Sequence, residues 1–250
     1  MERWQGKVAI VTGASSGIGA ATAKALTVAG MVTIGLARRV DRVEALKSEL
    51  PVEVASRMHS FRCDVSKEAD ILAAFEFVED NFGGVDVLVN NAGTYQKVDL
   101  LAPGNTDCLR QSLNTNVLGL ALCSREAFQS MKKRSVDGHI FHINSIEGHK
   151  VPFYPGANLY PASKYAVTAI TETMRNELRE AGTKIKVTSI SPGFVRTEMV
   201  ELCDTYNNLE VESLPMLQPE DIAKAIVYAL GTPPHVQIHE LTIKPVGEPV

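Results

Sequence analysis

Apolar residues along this chain fall into short unbroken runs separated by longer stretches of helical spacing. Val8-Ala9-Ile10-Val11 is the first run, entered from Lys7 and closed by Thr12 and a glycine-rich turn. A strand apolar on both of its faces is covered from both sides, which is the habit of a parallel sheet. The pattern predicts strands at residues 7–12, 31–37, 59–63, 85–90, 139–144, 185–190 and 240–244. Between them, helical periodicity predicts helices at 18–29 (closed by Gly30), 41–50 (stopped by Pro51), 67–81, 107–133, 160–181 and 219–230.

Strand and helix therefore alternate from end to end. No linker, repeat or low-complexity segment divides the sequence, so residues 1–250 are read as one α/β domain: a doubly wound, Rossmann-like sheet of roughly seven parallel strands with helices on both faces. The one long irregular stretch, 198–218, exceeds the roughly 12 residues beyond which a loop usually serves a function, and it is expected to be a substrate-binding lid.

Composition narrows the class without identifying a function. At 45% hydrophobic and 22% charged the chain reads as an ordinary globular protein, and a net charge of −4 offers no general attraction to nucleic acid or an anionic membrane. No apolar run approaches the roughly 18 residues of a membrane span. Cys63, Cys108, Cys123 and Cys203 are scattered and form neither a CxxC pair nor a cluster with histidine. With no apolar targeting core at the start and no Asn-x-Ser/Thr sequon, reduced thiols and a cytoplasmic location are expected.

Chemistry concentrates where strands end. The first turn reads Gly13-Ala14-Ser15-Ser16-Gly17-Ile18-Gly19, and it lies between a predicted strand and a predicted helix. Glycines there let backbone approach a pyrophosphate, and a helix opening behind them aims free N–H groups at it. A plain turn with incidental glycines is the alternative. After the second strand, Arg38 and Arg39 stand where an NAD-selecting site places a carboxylate, so NADP is expected, with Arg38 first and Arg39 second on its 2′-phosphate. Two solvated arginines are the other reading. Asp64 and Val65 end the third strand beside the expected adenine, and Asn91, Ala92 and Gly93 end the fourth.

Tyr160-Pro161-Ala162-Ser163-Lys164 carries the reactive end. Residues four apart share a helix face, so an ammonium would sit beside a phenol and, with a bound nicotinamide, favour its ionised form. Tyr160 would then exchange a proton with a substrate oxygen while Lys164 holds the nicotinamide ribose. Tyr154 and Tyr165 have Asn158 and Ala169 at that spacing, with no cation. Ser145 closes the fifth strand, where its hydroxyl can orient a substrate. Asn116, in the long helix, can hold a water relaying protons to Lys164, or simply be a bonded core amide. Pro192, Gly193, Val195 and Thr197 would present backbone and hydroxyl to the nicotinamide side. Phe153, Phe194, Met199 and Leu202, with Val151, suggest an apolar substrate pocket, although packing in a core or between subunits accounts for them equally. Glu147 and His149 either bond a distal polar group or face solvent.

Taken in order, Thr12-Gly13-x-x-x-Gly17-x-Gly19, Asn90-Asn91-Ala92-Gly93, Asn116-x-x-Gly119, Ser145, Tyr160-x-x-x-Lys164 and Pro192-Gly193 resemble the short-chain dehydrogenase/reductase family over nearly the whole chain. The resemblance implies a Rossmann-like fold, no metal, and a Ser-Tyr-Lys centre supported by Asn, carried here by Ser145, Tyr160, Lys164 and Asn116. Ala37-Arg38 is similar to the NADP-preferring branch. Met1-Glu2-Arg3-Trp4, residues 35–39 and the tail from Thr232 look like insect NADP-dependent farnesol dehydrogenases and a vertebrate branch acting on keto- and hydroxysteroids. The implied activity is NADP(H)-dependent hydride exchange with an apolar alcohol, aldehyde or ketone, an isoprenoid alcohol such as farnesol before a steroid. The family also implies a homodimer or homotetramer. Residues 151–159 are unusually rich in proline, glycine and aromatics, so pocket shape is not carried over. A non-enzymatic NADP-binding scaffold is the competing class, with no reason to keep Ser145, Tyr160 and Lys164 together. A nucleotide-sugar epimerase or dehydratase would need a differently spaced glycine turn.

Overall fold

The computed structural model describes residues 1–152, 154–202, 205–206, 209–210 and 214–248, with side chains at all of these except 202, 205, 206, 209 and 210. Seven parallel strands form the sheet: β1 (Val8–Thr12), β2 (Val32–Ala37), β3 (Met58–Arg62), β4 (Val87–Asn90), β5 (His139–Ile143), β6 (Lys186–Pro192) and β9 (Glu240–Ile243), in the spatial order β3-β2-β1-β4-β5-β6-β9. Every residue of β1, β4, β5 and β6 is buried, the polar ones of β5 and β6 included, whereas the edge strands β3 and β9 are only partly so. The order in which successive strands are added reverses between β1 and β4, and a crevice opens there at the carboxyl ends of the strands.

Successive side chains of a strand face opposite ways, and β1 feeds two cores accordingly. Ala9 and Val11 join Leu26, Ile222 and Ile226 beneath α1 (Gly17–Val28) and α8 (Pro219–Gly231). Val8 and Ile10 join Ile71, Met131 and Ile140 beneath α4 (Glu68–Phe82) and α6 (Leu120–Lys133). Trp4 ties the start of the chain to the first core, its Nε1–H donating to the Leu230 carbonyl at 2.8 Å.

Four expectations change in detail. The helix read at 41–50 is α2 (Val40–Ala45) followed by a 3-10 turn (Leu46–Glu49), and a short α3 (Val52–Ala55) follows Pro51. The rod read at 107–133 is α5 (Thr106–Leu113), a π-helical turn (Asn114–Gly119) and α6. Strand β6 continues past Ile190 to Pro192. Proline is tolerated because β5 has already ended opposite Ile190, and the next amide, Gly193, makes the bond to the Ile243 carbonyl. The segment 198–218 is not irregular throughout: it contains a 3-10 turn (Val200–Leu202) and an antiparallel pair, β7 (Thr205–Tyr206) with β8 (Leu209–Glu210). Its ends are stitched together where Val195 and Leu217 form a bridge. The longest helix, α7 (Tyr160–Glu180), lies against β6 and the π turn.

Candidate active site

One cleft runs across the carboxyl ends of the strands, lined at one end by Gly13, Ser15, Ser16, Gly17 and Ile18 and at the other by Ser145, Tyr160 and Lys164. The glycine turn is tight for physical reasons. Gly17 sits at φ +53, and a Cβ there would also press on the Thr197 methyl at 2.9 Å. A Cβ on Gly19 would clash with the Gly13 carbonyl and the Asn91 amide. Asn91 explains that closeness: its Nδ2 donates to the carbonyls of Thr12 (2.9 Å) and Gly13 (3.2 Å), while Thr12 Oγ1 accepts from the amides of Asn91 and Ala92. The two strands flanking the crevice are thus locked at their ends. Ser16 stands at the N-cap of α1 without capping it through its side chain, which leaves the helix's first N–H groups facing the cleft.

Arg38, Arg39, Asp64, Val65, Ala92 and Gly93 line the same cleft. Arg39 Nη2 lies 3.4 Å from Ser15 Oγ and 3.2 Å from Ser16 Oγ, so it, rather than Arg38, is the guanidinium bound to the turn. Asp64 Oδ1 accepts from the amide and hydroxyl of Ser66, and its carboxyl is held below its ordinary range by those bonds and by Arg38 and Lys67, against the effect of burial. Pro192, Gly193, Val195 and Thr197 form the opposite wall.

At the far end, Lys164 is 6% exposed, donates to the Ile143 carbonyl at 2.8 Å, and holds its Nζ 5.6 Å from the Tyr160 ring centre. Burial pulls its ammonium down from 10.5 to about 8, opposed by the Glu147 carboxylate. Ser145 caps a 3-10 turn (Ile146–Gly148), its Oγ accepting from the Glu147 amide at 3.1 Å. With one lone pair so engaged, the hydroxyl hydrogen is free to turn toward a ligand oxygen. The turn is welded to α7: Thr168 Oγ1 donates to the Gly148 carbonyl and accepts from Asn144 Nδ2.

Asn116 lies in the π turn, 2% exposed. Its Oδ1 accepts from the Thr94 amide, and its Nδ2 donates to the Thr94 carbonyl and to Ser163 Oγ, so the side chain fastens α7 to the loop after β4. Beneath α7, Thr171 spends its hydroxyl hydrogen on the Val167 carbonyl and can only accept from His142 Nδ1. His142 therefore carries its proton on Nδ1, and burial keeps it neutral by pulling its pKa down to about 3.

Phe194 and Met199 pack with Val200, Tyr95, Tyr154 and Leu214 around Tyr160, forming an apolar pocket next to the cleft. Tyr95 meets the Tyr160 ring edge-on at 5.9 Å. Glu147 lines this pocket and accepts a 3.0 Å bond from Tyr154 Oη. Its carboxyl is pushed by burial from 4.5 up to about 7, a rise that the Tyr154 bond and Lys164 oppose. His149 faces elsewhere, with Nε2 2.9 Å from Ser191 Oγ and 3.6 Å from Glu240, and Val151 is exposed. Phe153 and the side chain of Leu202 lie outside the described residues. Among the described residues, no group of three or more His, Cys, Asp or Glu side chains is placed to hold a metal ion, and no helix is long and apolar enough to cross a membrane.

The family described as short chain dehydrogenase matches residues 7–207. The chain belongs to the short-chain dehydrogenase family. It is 63% identical to farnesol dehydrogenase of Aedes aegypti over 99% of both chains. It is also 45% identical to dehydrogenase/reductase SDR family member 11 of Mus musculus, covering 98% of this chain and 96% of the other. The closed form of a serine dehydrogenase complexed with NADP+ superposes with a TM-score of 0.82 at 28% identity, over 94% of this chain and 93% of the other. As a short-chain dehydrogenase it is an oxidoreductase acting on CH–OH groups.

Sequence reasoning missed several residues of this short-chain dehydrogenase's cleft. Thr12 acts by stitching backbone, Tyr95 and Tyr154 wall in Tyr160, Glu198 reaches the arginines, and Glu248 comes back from the tail so that its Oε2 accepts from the Phe194 amide at 3.2 Å. The position of Thr12 at a strand end before the glycine turn was a usable signal. For Glu198 and Glu248 the sequence held none, because their partners are remote along the chain.

Proposed function

We propose that this enzyme is an NADP(H)-dependent dehydrogenase that interconverts an apolar alcohol with its aldehyde or ketone, an isoprenoid alcohol of the farnesol type being the favoured substrate. The observation that carries the reading is that Ser145, Tyr160 and Lys164 line one end of the cleft whose other end is the glycine turn with its two arginines. The donor set suits such a cofactor. Free N–H groups at α1 and the hydroxyls of Ser15 and Ser16 would hold a pyrophosphate, the guanidiniums of Arg38 and Arg39 a 2′-phosphate, and Asp64 would bond the adenine. The bound cofactor supplies the hydride acceptor or donor.

The chain's own residues handle the proton and the geometry. Ser145 donates its free hydrogen to the substrate oxygen. Tyr160 takes the hydroxyl proton as an alcohol is oxidised and returns it when a carbonyl is reduced. The Lys164 ammonium stabilises negative charge developing on the phenol oxygen, and its bond to the Ile143 carbonyl fixes where that charge is felt. Thr168 ties α7 to Asn144 at the end of β5 and Asn116 ties it to the loop after β4, which holds the phenol and the serine hydroxyl at one end of the cleft. Tyr95, Tyr154, Phe194 and Met199 exclude water and favour a hydrocarbon substrate. Residues 198–218 are read as the substrate-binding lid, with Met199, Val200 and Leu214 against the pocket. A homo-oligomer and a cytoplasmic location accompany this reading.

The carboxyl of Glu147 in the apolar pocket favours a second reading, a ketosteroid or hydroxysteroid bearing another oxygen. A substrate panel with NADP+ covering farnesol, geraniol, short alkanols and hydroxysteroids separates the two. Tyr160→Phe should lower kcat by about 100- to 10,000-fold while the dissociation constant of NADPH stays near wild type. Turnover that survives the substitution removes Tyr160 from the proton path.

A further inference from the structure

Glu198 makes a contact that neither the glycine turn nor the proton path requires. It sits at the head of the segment after β6, and its carboxylate reaches the end of β2, with Oε2 2.9 Å from Arg39 Nη2 and Oε1 2.5 Å from Arg42 Nη1. All three side chains are about half exposed, at 44%, 46% and 49% for Arg39, Arg42 and Glu198. The two guanidiniums hold the Glu198 carboxyl below its ordinary range, so it is fully ionised at neutral pH. Arg39 Nη2 at the same time faces the hydroxyls of Ser15 and Ser16. A carboxylate thus rests on the guanidinium nearest the phosphate turn, where the proposed cofactor would bring its 2′-phosphate.

Two anions on one guanidinium are in competition. A phosphomonoester carries roughly 1.5 to 2 negative charges at pH 7, more than a carboxylate, and takes the same fork of N–H donors. We propose that Glu198 is a specificity-determining residue: a resident counter-ion that the 2′-phosphate of NADP(H) must displace from Arg39, so that it lowers the affinity for NADP(H) and leaves NAD(H), with only a hydroxyl there, almost unaffected. Arg42 then keeps Glu198 when Arg39 is surrendered. This inference rests on the reading of Arg39 as a phosphate ligand.

The test measures dissociation constants for NADP+ and NAD+ by titration calorimetry on the wild type, Glu198→Gln and Arg39→Gln. Half-exposed ion pairs are weak, so Glu198→Gln is expected to tighten NADP+ by about 3- to 10-fold and to change NAD+ by less than about twofold. The gain should shrink when salt is raised from about 0.05 M to about 0.5 M, because screening weakens both the pair and its competitor. Arg39→Gln is expected to weaken NADP+ by more than about tenfold and spare NAD+. If Glu198→Gln weakens NADP+, leaves it unchanged or shifts both cofactors alike while Arg39→Gln behaves as expected, the competitor role is overturned and the phosphate reading stands. If Arg39→Gln leaves NADP+ binding intact, the phosphate reading itself falls, and the competitor role with it.

Discussion

Replacing Glu147 with glutamine should change how the fold responds to acid. The carboxyl is buried beside Tyr154 and prefers its neutral form, so its pKa in the folded protein is about 7 against an ordinary 4.5. Below pH 4.5 both folded and unfolded chains hold the proton, and the favourable neutral burial is fully present. Between 4.5 and 7 the unfolded chain releases the proton while the folded one keeps it, so stability declines as pH rises, and above about 7 the decline is complete. At about 1.4 kcal/mol per tenfold change, the interval corresponds to about 3 kcal/mol lost between pH 4.5 and 7.5. Glutamine keeps the shape and can accept the Tyr154 hydroxyl, but it does not ionise. Urea unfolding of wild type and Glu147→Gln across this pH range isolates the effect, because titrating groups that do not touch Glu147 cancel in the difference. The difference should grow by about 3 kcal/mol toward neutral pH in favour of the glutamine variant. Two parallel stability curves would show that water reaches this carboxyl and that the pocket is not dry.

Lys164 should act with the opposite sign in a different window. Its folded pKa of about 8 lies below 10.5, so stability is reduced at neutral pH and recovers as pH rises from 8 to 10.5; Lys164→Met should abolish that rise in an alkaline urea series. Arg134→Met should cost about 3 kcal/mol or more, because Arg134 Nη1 is 3.1 Å from Asp86, whose side chain is 4% exposed and would be left charged without its partner. A loss below about 1 kcal/mol in chemical denaturation would mean that Asp86 is satisfied by its 2.9 Å bond from the Val8 amide alone.

The inner strands β1, β2 and β4 were legible as apolar runs, and all seven strands were found in their places in the chain although β3, β5, β6 and β9 carry polar residues. Their ends were less so. Pro192 argues against a strand by its chemistry, and only the early end of β5 makes it acceptable. The break at Leu46 and the π turn at Asn114–Gly119 keep helical spacing, so periodicity passes over them. Strands of two residues, such as β7 and β8, are too short to alternate at all. In the site, residues whose role depends on a short interval, Tyr160 with Lys164 or the glycines of the turn, were readable from spacing. The contact of Arg39 with Ser16 had no signal along the chain, and Glu198 is 159 residues away from the arginine it pairs with. Asn116 was named for its polarity in an apolar helix, but the three bonds that engage it involve Thr94 and Ser163, which no pattern along the chain connects.

The widened turn at Asn114–Gly119 has an implication for how this protein tolerates change. One surplus residue absorbed there lets the stretches before and after it keep their own faces toward the sheet. Deleting Thr115 would heal the rod into regular α-helix, improving its internal bonding while rotating the Asn116 amide off the loop and off Ser163. The shorter chain should then be the sturdier molecule, at the cost of the bonds by which Asn116 joins α7 to the loop after β4.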